Sequence, residues 1–129
     1  MRFEKGQRFG EVRFELTPDA VREYVAAVED GAVVALGGDA VPPMAVAAYA
    51  VRGLLSEMPL PPGSIHAGQE LEFVRPVGLG ETLAVTGRVL SAGERKGWTL
   101  ATVELDVRDG AGQPVMCGRA TLTAPVEAA

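Results

Sequence analysis

Between Ile65 and Thr123 the chain reads IHAGQELEFVRPVGLGETLAVTGRVL, then a short polar turn, then WTLATVELDVRDGAGQPVMCGRATLT. Four strand-like stretches in succession, each closed by turn chemistry, constrain the fold more than any other feature. Residues 65–75 alternate, with Leu71 and Phe73 set against Glu70, Glu72 and Arg75. Residues 82–90 place Leu83, Val85 and Val89 opposite Thr82, Thr86 and Arg88. Residues 98–108 put Ala101, Val103, Leu105 and Val107 on one face and Trp98, Thr102, Glu104 and Asp106 on the other. Asp109-Gly110, extended by Gly112, signals a hairpin before a last strand over 114–123. An alternating strand has one apolar face, so such a sheet must lay that face on something apolar and leave the other in water.

The covering element precedes the strands. Pro42-Pro43 opens a helix predicted over 43–57, apolar all round from Met44 to Val51, which implies burial on most sides. Arg52, Ser56 and Glu57 mark where it reaches solvent, and Pro59, Pro61 and Pro62 end it. Nearer the start, residues 8–16 read as a weak strand. Thr17-Pro18 starts a first helix, with Val21, Tyr24, Val25 and Val28 in one stripe and Gly31 as its C-terminal cap. Residues 31–43, rich in glycine and proline yet apolar, are expected to form a partly buried loop.

Composition narrows the function. At 129 residues the chain is expected to be one domain, residues 1–129, and 47% hydrophobic residues suffice for a core. Asp+Glu 17 against Lys+Arg 12 argues against nucleic acid, which needs clustered basic residues; Glu94-Arg95-Lys96 reads as a solvated hairpin tip. One cysteine, Cys117, and one histidine, His66, exclude an internal disulfide and a Cys- or His-based metal site. A carboxylate-only cation site stays open, although no calcium-loop spacing occurs, and no cofactor is expected. The opening MRFEKGQRFG lacks the apolar run of a signal peptide and no stretch is long enough to span a bilayer, so a cytoplasmic location is expected.

The order strand, helix, buried helix, four strands resembles the hotdog fold, an α+β architecture in which an antiparallel sheet wraps a central helix. His66, Ala67, Gln69, Phe73, Arg75-Pro76 and Gly80-Glu81 together resemble the second-strand signature of MaoC-like hydratases and dehydratases, in particular the N-terminal-type domain of fatty-acid-synthase-like dehydratases. REYVAAVED (22–30) resembles that family's first helix, and VPPMAVAAYA (41–50) the start of its central helix. The resemblance implies an acyl thioester of CoA or acyl carrier protein as ligand, dimers that join two sheets edge to edge, and hydration of 2-enoyl thioesters or the reverse. That chemistry needs a carboxylate and an imidazole to hold and deprotonate one water, and a backbone N–H for the enolate oxygen.

The family carries the carboxylate and imidazole in a Gly-Asp-x-Asn-Pro-x-His motif, from which this chain departs. In one register Asp30 takes the aspartate position, but Glu29, Ala32, Val33 and Ala35 replace the glycine, asparagine, proline and histidine. In the other, Gly38, Asp39 and Pro42 match, but Val41 replaces the asparagine and Met44 the histidine. Neither register supplies an imidazole.

The candidate catalytic residues are therefore Asp30, Asp39 and His66, each with an ordinary alternative. Asp30 sits in an Asp-Gly pair of the kind that closes helices, Asp39 is placed to cap the central helix, and His66 opens a strand. Met44, Tyr49 and Phe73 are candidate acyl-binding residues, with Met44 and Tyr49 also expected in the core. Arg75 is a candidate for a CoA or carrier-protein phosphate, or for pairing with Glu70 or Glu72. Cys117 reads as a small buried apolar residue, and Trp98 as packing at a sheet edge.

The leading expectation is a non-catalytic or weakly catalytic MaoC-like subunit, similar to one member of the heterodimeric 3-hydroxyacyl-ACP dehydratases. It would bind the acyl chain and complete a dimer whose partner carries the Asp/His pair. The alternatives are a self-sufficient homodimeric enoyl-thioester hydratase or a hotdog thioesterase using one carboxylate, and a ligand-binding module without chemistry.

Overall fold

The computed structural model describes residues 3–28, 41–58 and 60–126. In chain order these form β1 (Arg8–Glu15), α1 (Pro18–Val28), α2 (Pro43–Ser56), β2 (Ile65–Phe73), β3 (Thr82–Arg95), β4 (Trp98–Arg108) and β5 (Pro114–Pro125). Asp30, Gly31, Asp39 and Pro59, with most of the 31–43 loop, lie outside the described residues.

All pairings are antiparallel and the sheet order is β1-β3-β4-β5-β2. The expected α+β arrangement, one helix on one face of an antiparallel sheet, is the one observed. One row of side chains crosses all five strands on the inner face: Val12, Val85, Val107, Met116 and Phe73. On the outer face runs a row of alternating charge: Arg88, Glu104, Arg119 and Glu70. Arg88 Nη2 lies 3.5 Å from Glu104 Oε1. Alternation at period two separates the rows, and cross-strand partners of opposite sign suit the wet one.

The helices begin as their residues dictate. Thr17 Oγ1 accepts the Ala20 N–H at 3.1 Å, satisfying an amide the first turn of α1 leaves free. Pro43 occupies the first turn of α2 after Pro42, where its missing N–H costs nothing. From α2, Ala45, Val46, Ala47, Ala50 and Leu54 are buried, over the apolar faces of β1 and β3. Small residues bring the helix close to the strands, and Gly87 completes the fit. A Cβ on Gly87 would lie 2.8 Å from Leu54 Cδ1 and 2.9 Å from Cδ2.

Two features differ from expectation. The central helix is not buried on most sides: Met44 is 54% exposed and Ala48 is also exposed. The sheet covers one side of α2, so an all-apolar segment overstates its burial. β3 runs on to Arg95, past the end of its apolar alternation, because Arg95 pairs with Trp98 around a two-residue loop. Lys96 at φ 51° and Gly97 at φ 81° give that loop two left-handed residues, matching the twist of the paired strands.

Candidate acyl-binding site

Where α2 begins, beside the end of β2, the structure holds an apolar groove of about 350 Å³. Val41, Pro43 and Val46 form its helix side. Phe73, Val74, Arg75, Pro76 and Val77, from the end of β2 and the connector after it, line the rest, together with Val115 of β5. Val41, Val46, Val77 and Val115 are buried, whereas Phe73 and Val74 are 42% and 52% exposed. The floor is therefore part of the core and the mouth is open, which suits an aliphatic chain better than a polar solute.

The connector is held at several points. Val74 N–H donates to Val115 O at 2.9 Å, extending β2's pairing with β5. Gly80 N–H donates to Leu16 O at 2.8 Å, and Leu16 N–H to Glu81 O at 3.0 Å, tying the 78–81 turn to the β1–α1 corner. Arg75 joins the remaining parts. Its Nη2 lies 2.7 Å from Glu81 Oε1 and 2.9 Å from Asp109 Oδ2. Its Nη1 donates to Glu81 Oε2 at 3.2 Å and to Pro76 O at 2.8 Å. Glu81 Oε2 also accepts the Gly78 N–H at 2.7 Å, and Asp109 Oδ1 accepts the Ala111 and Gln113 amides at 2.9 Å each.

These contacts fix the charges. Hydrogen bonds from Arg75, then from the Gly78 amide, hold the Glu81 carboxyl below its usual range. Hydrogen bonds from Arg75, then from the Gln113 amide, do the same for Asp109. The two carboxylates in turn push the Arg75 guanidinium upward. Of the pairings expected for Arg75, neither Glu70 nor Glu72 is realised. Both belong to β2, and Glu70 stands on the outer row, while the chain turns away after Val74 toward Glu81 and the β4–β5 hairpin.

The other candidates are dispersed. Phe73 and Arg75 line the groove; Met44, Tyr49 and His66 do not. Met44 stands in the first turn of α2, exposed rather than in the core. Tyr49 is half-buried, and its hydroxyl donates to Ala20 O at 3.0 Å, tying α2 to α1. His66 is exposed, and its Nε2 lies 2.9 Å from Gln69 Oε1. The Gln69 amide then donates to Arg119 O at 2.9 Å, so the imidazole is held along the outer edge strand. Candidates Asp30 and Asp39 lie outside the described residues. Sequence reasoning missed the valines at 41, 46, 74, 77 and 115. The available signal was Pro43 and Val46 at helical spacing, facing the Val-Arg-Pro-Val run at 74–77.

A wider depression of about 740 Å³ lies on the outer face, lined by Glu70, Glu72, Glu104, Asp106, Arg108 and Arg119 around Cys117. Cys117 is thus half-buried among charges rather than in the core, because it falls on the outer row between Glu72 and Asp106. Burial, then the Glu72 charge, pushes its thiol upward, the wrong direction for a nucleophile. Among the described residues no group of three or more His, Cys, Asp or Glu is placed to hold a metal ion. No described helix is long and apolar enough to cross a membrane.

A family model for the FAS1-like, dehydratase domain region matches residues 4–117. No curated protein sequence matches the chain. Among solved structures the chain is similar to an R-hydratase from Pseudomonas aeruginosa in its unliganded form, at 28% identity and TM-score 0.78, over 97% of this chain and 84% of that one. It is similar to a MaoC-like dehydratase from Rhodospirillum rubrum at 24% identity and TM-score 0.78, over 98% and 96%. It also shares the fold of the HadBC (3R-hydroxyacyl-ACP dehydratase) complex from Mycobacterium tuberculosis, at 21% identity and TM-score 0.75, over 96% and 100%.

Proposed function

The chain belongs to the FAS1-like dehydratase-region family of MaoC-like hotdog proteins, and from that premise we propose that it is an acyl-thioester-binding subunit with little or no catalysis of its own. Its ligand is an acyl-CoA or acyl-carrier-protein thioester, with the acyl chain in the groove beside Phe73. A second hotdog subunit supplies the Asp/His pair.

The observation that carries this reading is the place of the imidazole. The chain has one histidine, His66, and its ring is exposed and bonded to the Gln69 amide. The position matching the motif histidine beside Asp39 is Met44, whose thioether cannot exchange a proton. Water activation by a carboxylate–imidazole pair needs both groups within hydrogen-bond reach of one water. The groove itself is apolar and open, so binding is retained where the base is wanting.

A partner is supported by β2. It is an edge strand, and edges are paired or protected in natural proteins. Phe73 and Val74, both exposed, stand where that edge meets the groove. A symmetric or pseudo-symmetric pairing of two β2 strands would cover them and bring a partner's residues to the groove mouth.

Reconstitution tests this. The chain is mixed with a hotdog subunit bearing an intact Gly-Asp-x-Asn-Pro-x-His motif, and the mixture is sedimented with and without octanoyl-CoA. A one-to-one complex that binds the thioester more tightly than either subunit supports the proposal; two separate species with no acyl-CoA binding by this chain overturn it. The likeness to an R-hydratase favours a second reading, a homodimer that hydrates alone with Asp30 or Asp39 as base. Thioester hydrolysis by one carboxylate is a further outcome the same preparation would reveal, through release of free thiol.

A further inference from the structure

We propose that Arg75 is a positioning residue: bridged to Glu81 and Asp109, it fixes the groove wall at residues 74–77 and so limits the length of acyl chain the groove accepts. The inference rests on the acyl-binding reading above and concerns the same groove.

The wall is a short connector between two sheet strands. It is tied to β5 through Val74 N–H and Val115 O at 2.9 Å, and to its own turn through Gly78 N–H and Glu81 Oε2 at 2.7 Å. Between those ties, the Pro76 carbonyl is held by Arg75 Nη1 at 2.8 Å. The same guanidinium reaches Glu81 at the connector's end and Asp109 in the β4–β5 hairpin. One planar group thus joins three backbone segments, a task the rigid fork of arginine suits and a single ammonium does not. Arg75 is itself a lining residue, so displacement of its stem changes the groove directly. Pro76 and Val77 line the groove together with Pro43, Val46 and Phe73, so an outward movement of the connector would enlarge the space available to a chain.

A fixed wall has a measurable signature. Each methylene that fits an apolar site tightens binding about fourfold, the equivalent of about 0.8 kcal/mol, until the chain meets the wall. Beyond that length affinity stops rising. A released wall accepts the longer chain and the limit moves.

The test is calorimetric titration of butyryl-, octanoyl- and dodecanoyl-CoA into the full chain, as wild type, Arg75→Lys and Asp109→Asn. Asp109→Asn retains an Oδ1 for the Ala111 and Gln113 amides, so it breaks the ion pair while leaving the hairpin its acceptor. We expect the dodecanoyl-to-butyryl affinity ratio to rise about tenfold in Arg75→Lys, whose single ammonium cannot hold Pro76 O, Glu81 and Asp109 together, and to rise by less in Asp109→Asn, which keeps the Pro76 and Glu81 ties. Butyryl affinity should be little changed. Amide hydrogen exchange at Val77 and Gly78 should quicken in the same order. Equal weakening at all three lengths marks a merely structural role and overturns the inference, as does an unchanged ratio in both variants. Absence of binding by the wild type overturns the acyl-binding reading, and this inference with it.

Discussion

Arg75 Nη2 lies 2.9 Å from Asp109 Oδ2, although 34 residues separate them in sequence. That contact and its companion to Glu81 join the end of β2 to the β4–β5 hairpin, and both depend on ionised carboxylates.

The sign of their pH dependence follows from the direction of the shifts. Glu81 and Asp109 both titrate below their ordinary values in the folded protein. Their contribution to stability is therefore complete above the ordinary carboxylate range near about pH 4 and is lost as pH falls through the lower folded-state values. Urea midpoints measured across the acid range should fall as the pair protonates, and the fall should be shallower in a Glu81→Gln, Asp109→Asn double variant. Parallel acid limbs for wild type and variant would contradict this assignment.

Gly87 and Leu54 should be energetically coupled. Gly87→Ala forces a methyl against both Leu54 δ carbons and is expected to destabilise by about 1–3 kcal/mol. Leu54→Ala alone leaves a void and should cost about 2–5 kcal/mol. Together they should cost clearly less than the sum, because each relieves the other's fault. Strict additivity in denaturant unfolding would show that helix and strand do not meet as described.

Much of the architecture is legible in the sequence, and the exceptions have physical causes. Alternation placed β2, β4 and β5 within a few residues of their observed bounds, since each strand divides cleanly into a wet and a dry face. Thr17-Pro18 and Pro42-Pro43 located both helix starts through cap chemistry. Met44 was misjudged because hydrophobicity reports which residues tolerate burial, whereas the sheet covers only one side of α2. The partners of Arg75 were missed because local spacing favours Glu70 and Glu72, and only the turn after Val74 brings Glu81 and Asp109 together. The groove was half legible: Phe73 lies in it, but its valines look like any core residue until helix and connector face one another.

Tyr49 separates tether from ligand contact. Its hydroxyl holds Ala20 O at 3.0 Å, away from the groove. Tyr49→Phe should lower stability by about 0.5–1.5 kcal/mol and leave acyl-CoA affinity unchanged. Loss of affinity at unchanged stability would return Tyr49 to the acyl site.

Cys117 should be a sluggish thiol. Burial and the Glu72 carboxylate raise its pKa, so at neutral pH less of it is thiolate than in an unstructured peptide. Iodoacetamide should alkylate it more slowly than a free cysteine, and Glu72→Gln should quicken the reaction. Alkylation at the free-cysteine rate in the wild type would show that this environment is not formed in solution.

The central claim is that this chain binds acyl thioesters without carrying the complete catalytic pair. Hydration of crotonyl-CoA and octenoyl-CoA by the purified chain tests it most directly. A positioned acid–base group contributes about 10² to 10⁴-fold, so the chain alone should fall at least about a hundredfold below its rate when joined to a subunit with the intact motif. Asp30→Asn, Asp39→Asn and His66→Ala in this chain should leave the joined rate within about threefold, well inside the effect of a true catalytic group. Full turnover by the chain alone, abolished by Asp30→Asn or Asp39→Asn, would contradict the account and identify the base.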